Sequence, residues 1–232
     1  MKSINKSVQK FYNEAGKYFS KTRQRKLGED ANWKELKPYL KKLKSGMKVL
    51  DLGCGNGRLL TGIKTEVNYL GIDFSKTLLS EAKKLHPNYK FIQGNIVDDQ
   101  LWQEIGETKF DAIFCVATLH HLSDKKQHLK VLREIEKHLK NNGFAYISVW
   151  NLWQKKYLKY HLDLKTKIRN PRWVYIPFMK RWRRFCFTFD KAYLVSLINQ
   201  TNLKIKKVFY ADKVGQKTSW WQGRNLVIVV TK

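Results

Sequence analysis

An apolar run, Met47-Lys-Val-Leu-Asp-Leu52, empties directly into the glycine loop Gly53-Cys-Gly-Asn-Gly57. Glycines at alternate positions suit neither a strand nor a helix. They permit left-handed backbone and let the main chain approach a ligand closely. A strand ending in such a loop opens a parallel α/β unit, where ligands bind beyond the carboxyl ends of the strands, near the point where strand order reverses. The chain continues as that arrangement requires. Apolar runs recur at Asn68-Tyr-Leu-Gly-Ile-Asp73, Lys90-Phe-Ile-Gln93, Phe110-Asp-Ala-Ile-Phe-Cys115 and Phe144-Ala-Tyr-Ile-Ser-Val-Trp150. Between them lie helical patterns after Gly57, from Ser75 to Leu85, near Leu101 to Ile105 and from about Asp124 to Leu139, and Asn142-Gly143 reads as a turn into the fifth strand. A helix around Lys191 to Asn199 precedes Ile205-Lys-Lys-Val-Phe-Tyr210 and Leu226-Val-Ile-Val-Val230. Two strands so close together suggest an antiparallel C-terminal strand. The expectation is an α/β chain with a seven-stranded, mostly parallel sheet and helices on both faces.

Residues 1–46 read as an N-terminal helical cap on a domain spanning 47–232. Val8, Phe11, Ala15 and Tyr18 keep the spacing of one helix face, Trp33, Leu36, Leu40 and Leu43 repeat it, and Gly46 is placed to end that second helix. The β/α alternation breaks at about 151–186. From Gln154 to Arg184 there are eleven Lys or Arg and one acid, Asp163, interleaved with Tyr157, Tyr160, Trp173, Tyr175, Phe178 and Trp182. This stretch reads as a basic, aromatic insertion over the active face.

Charge narrows the partners. The 46 Lys and Arg exceed the 19 Asp and Glu by 27, more than solubility requires, which points to an extended anionic partner, nucleic acid first. A membrane surface is the rival, and a general enrichment in lysine the plain explanation. No apolar run approaches the roughly 20 residues that span a bilayer, and Met1 leads into polar sequence, so a cytoplasmic protein is expected. Cys54, Cys115 and Cys186 are too few and too scattered for a disulfide framework or a metal site.

The loop itself discriminates among ligands. A dinucleotide fold would carry its third glycine where this chain has Arg58, and the lysine and hydroxyl of a P-loop are missing. Asp73 ends the second strand about 20 residues beyond the glycines, where an acid can accept both ribose hydroxyls. Asn95 follows the third strand with an amide able to bond an adenine edge, and Ile96 would flank the ring. Taken singly, Asp73 and Asn95 are also ordinary strand-end turn residues.

Asp51-Leu-Gly-Cys-Gly-Asn-Gly57, Gly71-Ile-Asp73, Gly94-Asn95 and Phe110-Asp111 resemble the successive motifs of class I S-adenosylmethionine-dependent methyltransferases. The resemblance runs from about Met47 to Trp150 and implies their Rossmann-like fold and their cofactor, S-adenosyl-L-methionine. It implies that Asp51, Gly53, Cys54, Gly55, Asn56 and Gly57 hold the methionine moiety, Asp73 the ribose, and Asn95 and Ile96 the adenine. Phe74 and Val116 would complete that site. Phe11-Tyr-Asn-Glu14, Phe19-Ser-Lys-Thr-Arg23, His120-His121 and the stretch from Ile176-Pro-Phe178 to Phe187-Thr188 are similar to the tRNA wobble-uridine carboxymethyl methyltransferases. That branch esterifies a carboxylate on a modified uridine, which implies tRNA as substrate and a small activating protein as partner, with no metal and no membrane.

On that reading Tyr12, Arg23, His120, Arg183 and Arg184 face the substrate, with Arg23 as the fork that pins the carboxylate. The plain alternative packs Tyr12 in the core and leaves Arg23 in solvent. Were the nucleophile to carry a proton, His120 or His121 could serve as base; otherwise His120 shapes the pocket floor and His121 caps the next helix. The insertion's rings either stack on unpaired bases or bury themselves on the sheet, and Trp220-Trp221 is either a lid or packing. A small-molecule O- or N-methyltransferase of the same fold is the main rival, followed by a non-catalytic RNA-binding protein with a vestigial pocket.

Overall fold

The computed structural model describes residues 2–22, 33–179 and 181–232. Five strands lie parallel: β1 (Lys48–Leu52), β2 (Asn68–Asp73), β3 (Lys90–Gln93), β4 (Phe110–Val116) and β5 (Leu139–Trp150). The next two, β6 (Trp173–Phe178) and β7 (Trp182–Phe187), pair with each other as a separate antiparallel hairpin. β8 (Lys204–Ala211), β9 (Lys217–Thr218) and β10 (Asn225–Thr231) rejoin the main sheet, β10 running antiparallel between β5 and β8. The order is β3-β2-β1-β4-β5-β10-β8-β9. The chain winds outward from β1 to β3, returns to β4 beside β1 and continues the other way. β1 and β4 therefore flank the switch point, where such sheets bind ligands.

The strands in the middle are buried on both faces, and their alternation sorts the core into two clusters. Leu50, Leu52, Ile113, Cys115, Ile147 and Val149 face one way. Val49, Ala112, Phe114 and Tyr146 face the other. The helices divide accordingly: α1 (Lys2–Lys21), α4 (Asp99–Ile105), α5 (Lys125–His138) and α8 (Lys191–Ile198) bury apolar stripes in the first cluster. The second takes Leu36, Tyr39 and Leu40, from the short helical stretch that ends in α2 (Lys37–Leu40), together with Leu79 and Ala82 of α3 (Lys76–Leu85). Each fully buried side chain of this size contributes roughly 1.5–3 kcal/mol of transfer free energy, so both faces must be covered. α3, α5 and α8 start where the sequence supplies a cap: Ser75, Asp124 and Asp190 accept from the main-chain N–H of Leu78, Gln127 and Tyr193.

α1 lies across α3, close enough that a Cβ on Gly16 would come 2.9 Å from Thr77 Cγ2. It buries Ile4, Val8, Phe11, Tyr12 and Ala15, whereas Tyr18 turns to the rim with 49% of its surface exposed. Among the described residues, no helix is long and apolar enough to cross a membrane.

Three expectations need correction. The main sheet has eight strands, not seven, because Lys217–Thr218 is too short to show an alternation in sequence. Asn142-Gly143 is no turn: β5 begins at Leu139 and runs through it, with a register irregularity opposite Phe110 to Ala112. After Gly57 the chain makes only the 3-10 turn Arg58–Gly62, too short for a helix dipole to attract an anion.

Candidate active site

The glycine loop hangs from the ends of β1 and β2. Gly53 and Cys54 both donate to the Ile72 carbonyl, at 2.8 and 2.9 Å, which turns the loop over the strand tips. Gly53, Gly55 and Gly57 all sit at positive φ, at 75, 57 and 77°. Their surroundings differ. A side chain on Gly53 would strike Thr118, one on Gly57 would strike His86, but one on Gly55 would meet only Leu78 Cδ1 at 3.9 Å. Gly55 therefore faces open space, a cavity of about 310 Å³.

Gly53, Cys54, Gly55, Asn56, Asp73, Phe74, Asn95, Ile96 and Val116 all line that cavity. Asp51 and Gly57 do not. Strand alternation sends Asp51 behind the loop, where its buried carboxylate accepts from Tyr69 Oη at 2.8 Å and burial raises its pKa to about 7. Asn56 lines the cavity but spends its amide on Ser20 Oγ at 3.1 Å, tying the end of α1 to the loop. Asp73 accepts from the main-chain N–H of Gly55 at 2.9 Å and of Ser75 at 2.8 Å, one on each oxygen. Burial lifts its pKa to about 6 despite those bonds. Each oxygen keeps a second lone pair, which suits a pair of vicinal hydroxyls.

Opposite the loop the wall comes from distant segments. Arg184, on β7, lines the cavity at 7% exposure, with its guanidinium carbon 4.1 Å from the Trp150 ring centroid. Its Nε and Nη1 are buried and have no hydrogen-bond partner among the described residues. Arg183 points the opposite way, out of the cavity and over the Tyr175 ring, because neighbours on a strand alternate. Tyr12 Oη donates to His121 Nε2 at 2.8 Å, and His121 Nδ1–H donates to the Phe185 carbonyl at 3.0 Å, a tautomer fixed by the carbonyl's inability to donate. Burial and then Arg184 push His121 down to about 3, and burial lifts Tyr12 to about 12, so both are neutral near pH 7.

His120 is displaced from the role read for it. It is fully buried under Trp150, stacked at 4.8 Å, and does not line the cavity; His121 does. Arg23 lies outside the described residues. His120, His121 and Cys186 bring one potential ligand atom each within 4.8 Å of one another, a grouping no sequence spacing suggested. Both nitrogens of His121 are already committed, and the Trp150 N–H points at His120 Nδ1, leaving the proton on Nε2, so the set is not poised for a metal. The insertion's rings turn inward: Trp173, Tyr175, Phe178 and Trp182 pack against the main core, and Trp173 donates to the Ser123 carbonyl.

Sequence reasoning missed Trp150, Tyr157 and Arg224 as cavity residues. Trp150 is the last residue of β5 and Tyr157 follows it by seven residues, and position at a strand's carboxyl end was the available signal.

A doubly wound sheet with a glycine loop and a strand-end acid at its switch point defines a nucleoside-cofactor domain. The chain belongs to the methyltransferase domain family, whose model matches residues 43–209. S-adenosylmethionine is the cofactor of that class. The chain is 30% identical over 168 residues to a Saccharomyces cerevisiae tRNA (carboxymethyluridine(34)-5-O)-methyltransferase, a match covering 72% of this chain and 56% of the yeast protein. It thus spans about half the length of that relative. An S-adenosylmethionine-dependent methyltransferase from Clostridium acetobutylicum superposes with TM-score 0.65 at 14% identity, covering 95% of this chain and 98% of that one. A Haloferax volcanii methyltransferase, solved in complex with the Trm112 methyltransferase activator, superposes with TM-score 0.65 at 16% identity over 97% of both chains. These two show the fold.

Proposed function

We propose that this chain transfers the methyl group of S-adenosylmethionine to the carboxylate of a carboxymethylated wobble uridine in tRNA. Arg184 carries the reading. A buried guanidinium with no carboxylate partner among the described residues is costly in free energy, and it lines the same cavity as the glycine loop, so a carboxylate-bearing ligand would satisfy it. The name of the yeast relative and the net charge of +27 support the same substrate.

The cofactor's residues fit it. Gly55 leaves room for a ligand against the main chain, Asp73 can accept the ribose hydroxyls, and Asn95 and Ile96, which line the same cavity, would hold the adenine. When bound, S-adenosylmethionine supplies a methyl group on a positively charged sulfur. Arg184 would hold the acceptor carboxylate in a fixed plane, its own orientation set by the Trp150 face, and positioning of this kind contributes on the order of 7–11 kcal/mol. Two polar side chains of the cavity wall, Tyr12 and His121, are neutral and add no charge of their own beside that guanidinium. Carboxylate and sulfonium carry opposite charges that disappear together on methyl transfer, and a pocket that excludes water favours that neutralisation because it solvates the separate charges poorly. His121 is not a base in waiting, since the lone pair of Nε2 already accepts from Tyr12. A carboxylate nucleophile needs none.

Arg23 remains a proposed second contact to the substrate. A small activating protein belongs to the same reading, supported by the Haloferax volcanii neighbour having been solved with one. The test is to incubate the protein with methyl-labelled S-adenosylmethionine and tRNA bearing free carboxymethyluridine. Label should enter the tRNA and leave as methanol in mild alkali. Alkali-stable label, or label taken up by small acids and not by tRNA, would refute the proposal.

A further inference from the structure

Trp220 and Trp221 expose 53% and 60% of their surface and stand edge to face with centroids 5.8 Å apart. The loop that bears them is tightly held. Thr218 Oγ1 and Ser219 Oγ both donate to Gln222 Oε1, at 3.0 and 2.9 Å, and Gly223 N–H donates to the Ser219 carbonyl at 3.0 Å. Fully buried Asn151 donates its amide to the carbonyls of Trp220 and Gly223. Gly223 packs so closely on Tyr210 that a Cβ there would lie 2.6 Å from Tyr210 Cβ. Two bare indoles on a fixed frame are a binding surface in search of a flat apolar ligand.

A second observation lies at the foot of the loop. Arg224, next after Gly223, lines the cavity, as do Trp150 before Asn151 and Gln154 and Lys156 after it. Lys156 is held below its ordinary pKa by partial burial and then by the nearby Arg224 charge. Among the described residues no carboxylate lies within ion-pair distance of either. Two neighbouring cations with no acid between them repel each other until an anion arrives.

We infer that Trp220, Trp221, Arg224 and Lys156 form a landing platform for single-stranded RNA, the cations taking a phosphate beside the target nucleotide and the indoles stacking on a neighbouring unpaired base. The inference rests on the tRNA reading above and extends it beyond the cavity. It also relocates base stacking, which the insertion's inward-turned rings do not offer. Stacked rings beside phosphate-binding cations are how proteins hold unpaired bases, whereas duplex RNA keeps its base faces hidden.

The experiment uses the full chain and a fluorescent RNA hairpin with an unpaired loop, followed by anisotropy across a salt series. W220A/W221A should bind the hairpin roughly 10- to 100-fold more weakly with its salt slope unchanged, since stacking is not ionic. W220F/W221F should recover most of that loss. R224Q/K156Q should instead flatten the salt slope by about 1 to 2. Circular dichroism and a thermal midpoint within a few degrees of wild type in all three variants show that each is folded. The platform is refuted if the double-alanine variant binds the hairpin as wild type does, if phenylalanine fails to rescue, or if the same variant loses phosphatidylserine vesicles and not RNA. Failure of the tRNA reading looks different: wild type itself would ignore the hairpin loop, or prefer a fully paired duplex, while still binding S-adenosylhomocysteine.

Discussion

Replacing Arg184 with methionine should make the ligand-free protein more stable and the enzyme worse. The guanidinium is 7% exposed, and two of its nitrogens, Nε and Nη1, are buried without partners. Each unsatisfied buried donor costs about 1–3 kcal/mol. Against that stands the contact with Trp150 at 4.1 Å, reinforced by Phe178 at 5.5 Å, together about 1–2 kcal/mol. Methionine has a similar length, packs well on rings and needs no hydrogen bonds. Two such donors against that contact favour Arg184→Met by roughly 2–3 kcal/mol at the centre of the range, a rise of about 4–12 °C in Tm for a chain of this size. The cost falls on the substrate, whose carboxylate would enter the cavity without a charged partner. Losing such a pair on one side only costs about 3–5 kcal/mol, or roughly a 100- to 5000-fold fall in kcat/KM.

Calorimetric or urea unfolding of the free protein, together with methyl-transfer kinetics on the carboxylate-bearing tRNA, measures both halves. Arg184→Lys separates charge from geometry: it keeps the cation, loses the planar fork, and should fall between wild type and methionine in rate. A methionine variant that is destabilised by more than about 2 kcal/mol yet retains full kcat/KM would refute the reasoning, because the arginine would then be a packing element.

Two further outcomes follow from the loop. Gly53→Ala must take φ 75° with a Cβ that collides with Thr118 Oγ1 and lies 2.5 Å from its Cγ2, so a loss of about 2–4 kcal/mol is expected in urea unfolding. Adding Thr118→Ala should restore part of it, and no restoration would show that the clash is not the cause. Asp51 titrates near 7 when folded against about 3.9 unfolded, so between those values the folded chain holds a proton that the unfolded chain has lost. Stability from this group therefore falls as pH rises through 4 to 7, by up to roughly 1.4 kcal/mol per unit. Relative to Asp51→Asn, wild type should lose stability across that window in a series of denaturation curves; parallel curves would mean that Asp51 is not buried as a carboxyl.

Much of the fold could be read because local signals agreed. Apolar runs and the glycines after β1 sit beside the elements they define, whereas the cap of α5 is Asp124 and not His121 as read. The cofactor half of the site shared that advantage, being confined to the tips of neighbouring strands. The substrate half did not. Arg184, Trp150, Tyr12 and Arg224 meet only after the sheet, the hairpin and α1 have packed, and burial of a single arginine among eleven basic residues of the insertion leaves no local trace.

One distinction was nonetheless present in the chain. Arg183 and Arg184 are identical in type and adjacent, and treating them as a pair assigned both to the substrate. Read instead as a strand, Trp182-Arg-Arg-Phe-Cys-Phe187 would place Arg184 and Cys186 on one face and Arg183 and Phe185 on the other. Either face could then have been buried, because large rings occur on both. What decides is the hairpin register. Arg184 stands opposite Ile176 and Cys186 opposite Val174, and with Leu152 those four partners' apolar members form a small core that Arg184 extends towards Trp150. Among the described residues no carboxylate pairs with a cation set in line with such a core, and on the proposed reading the ligand supplies the opposite charge.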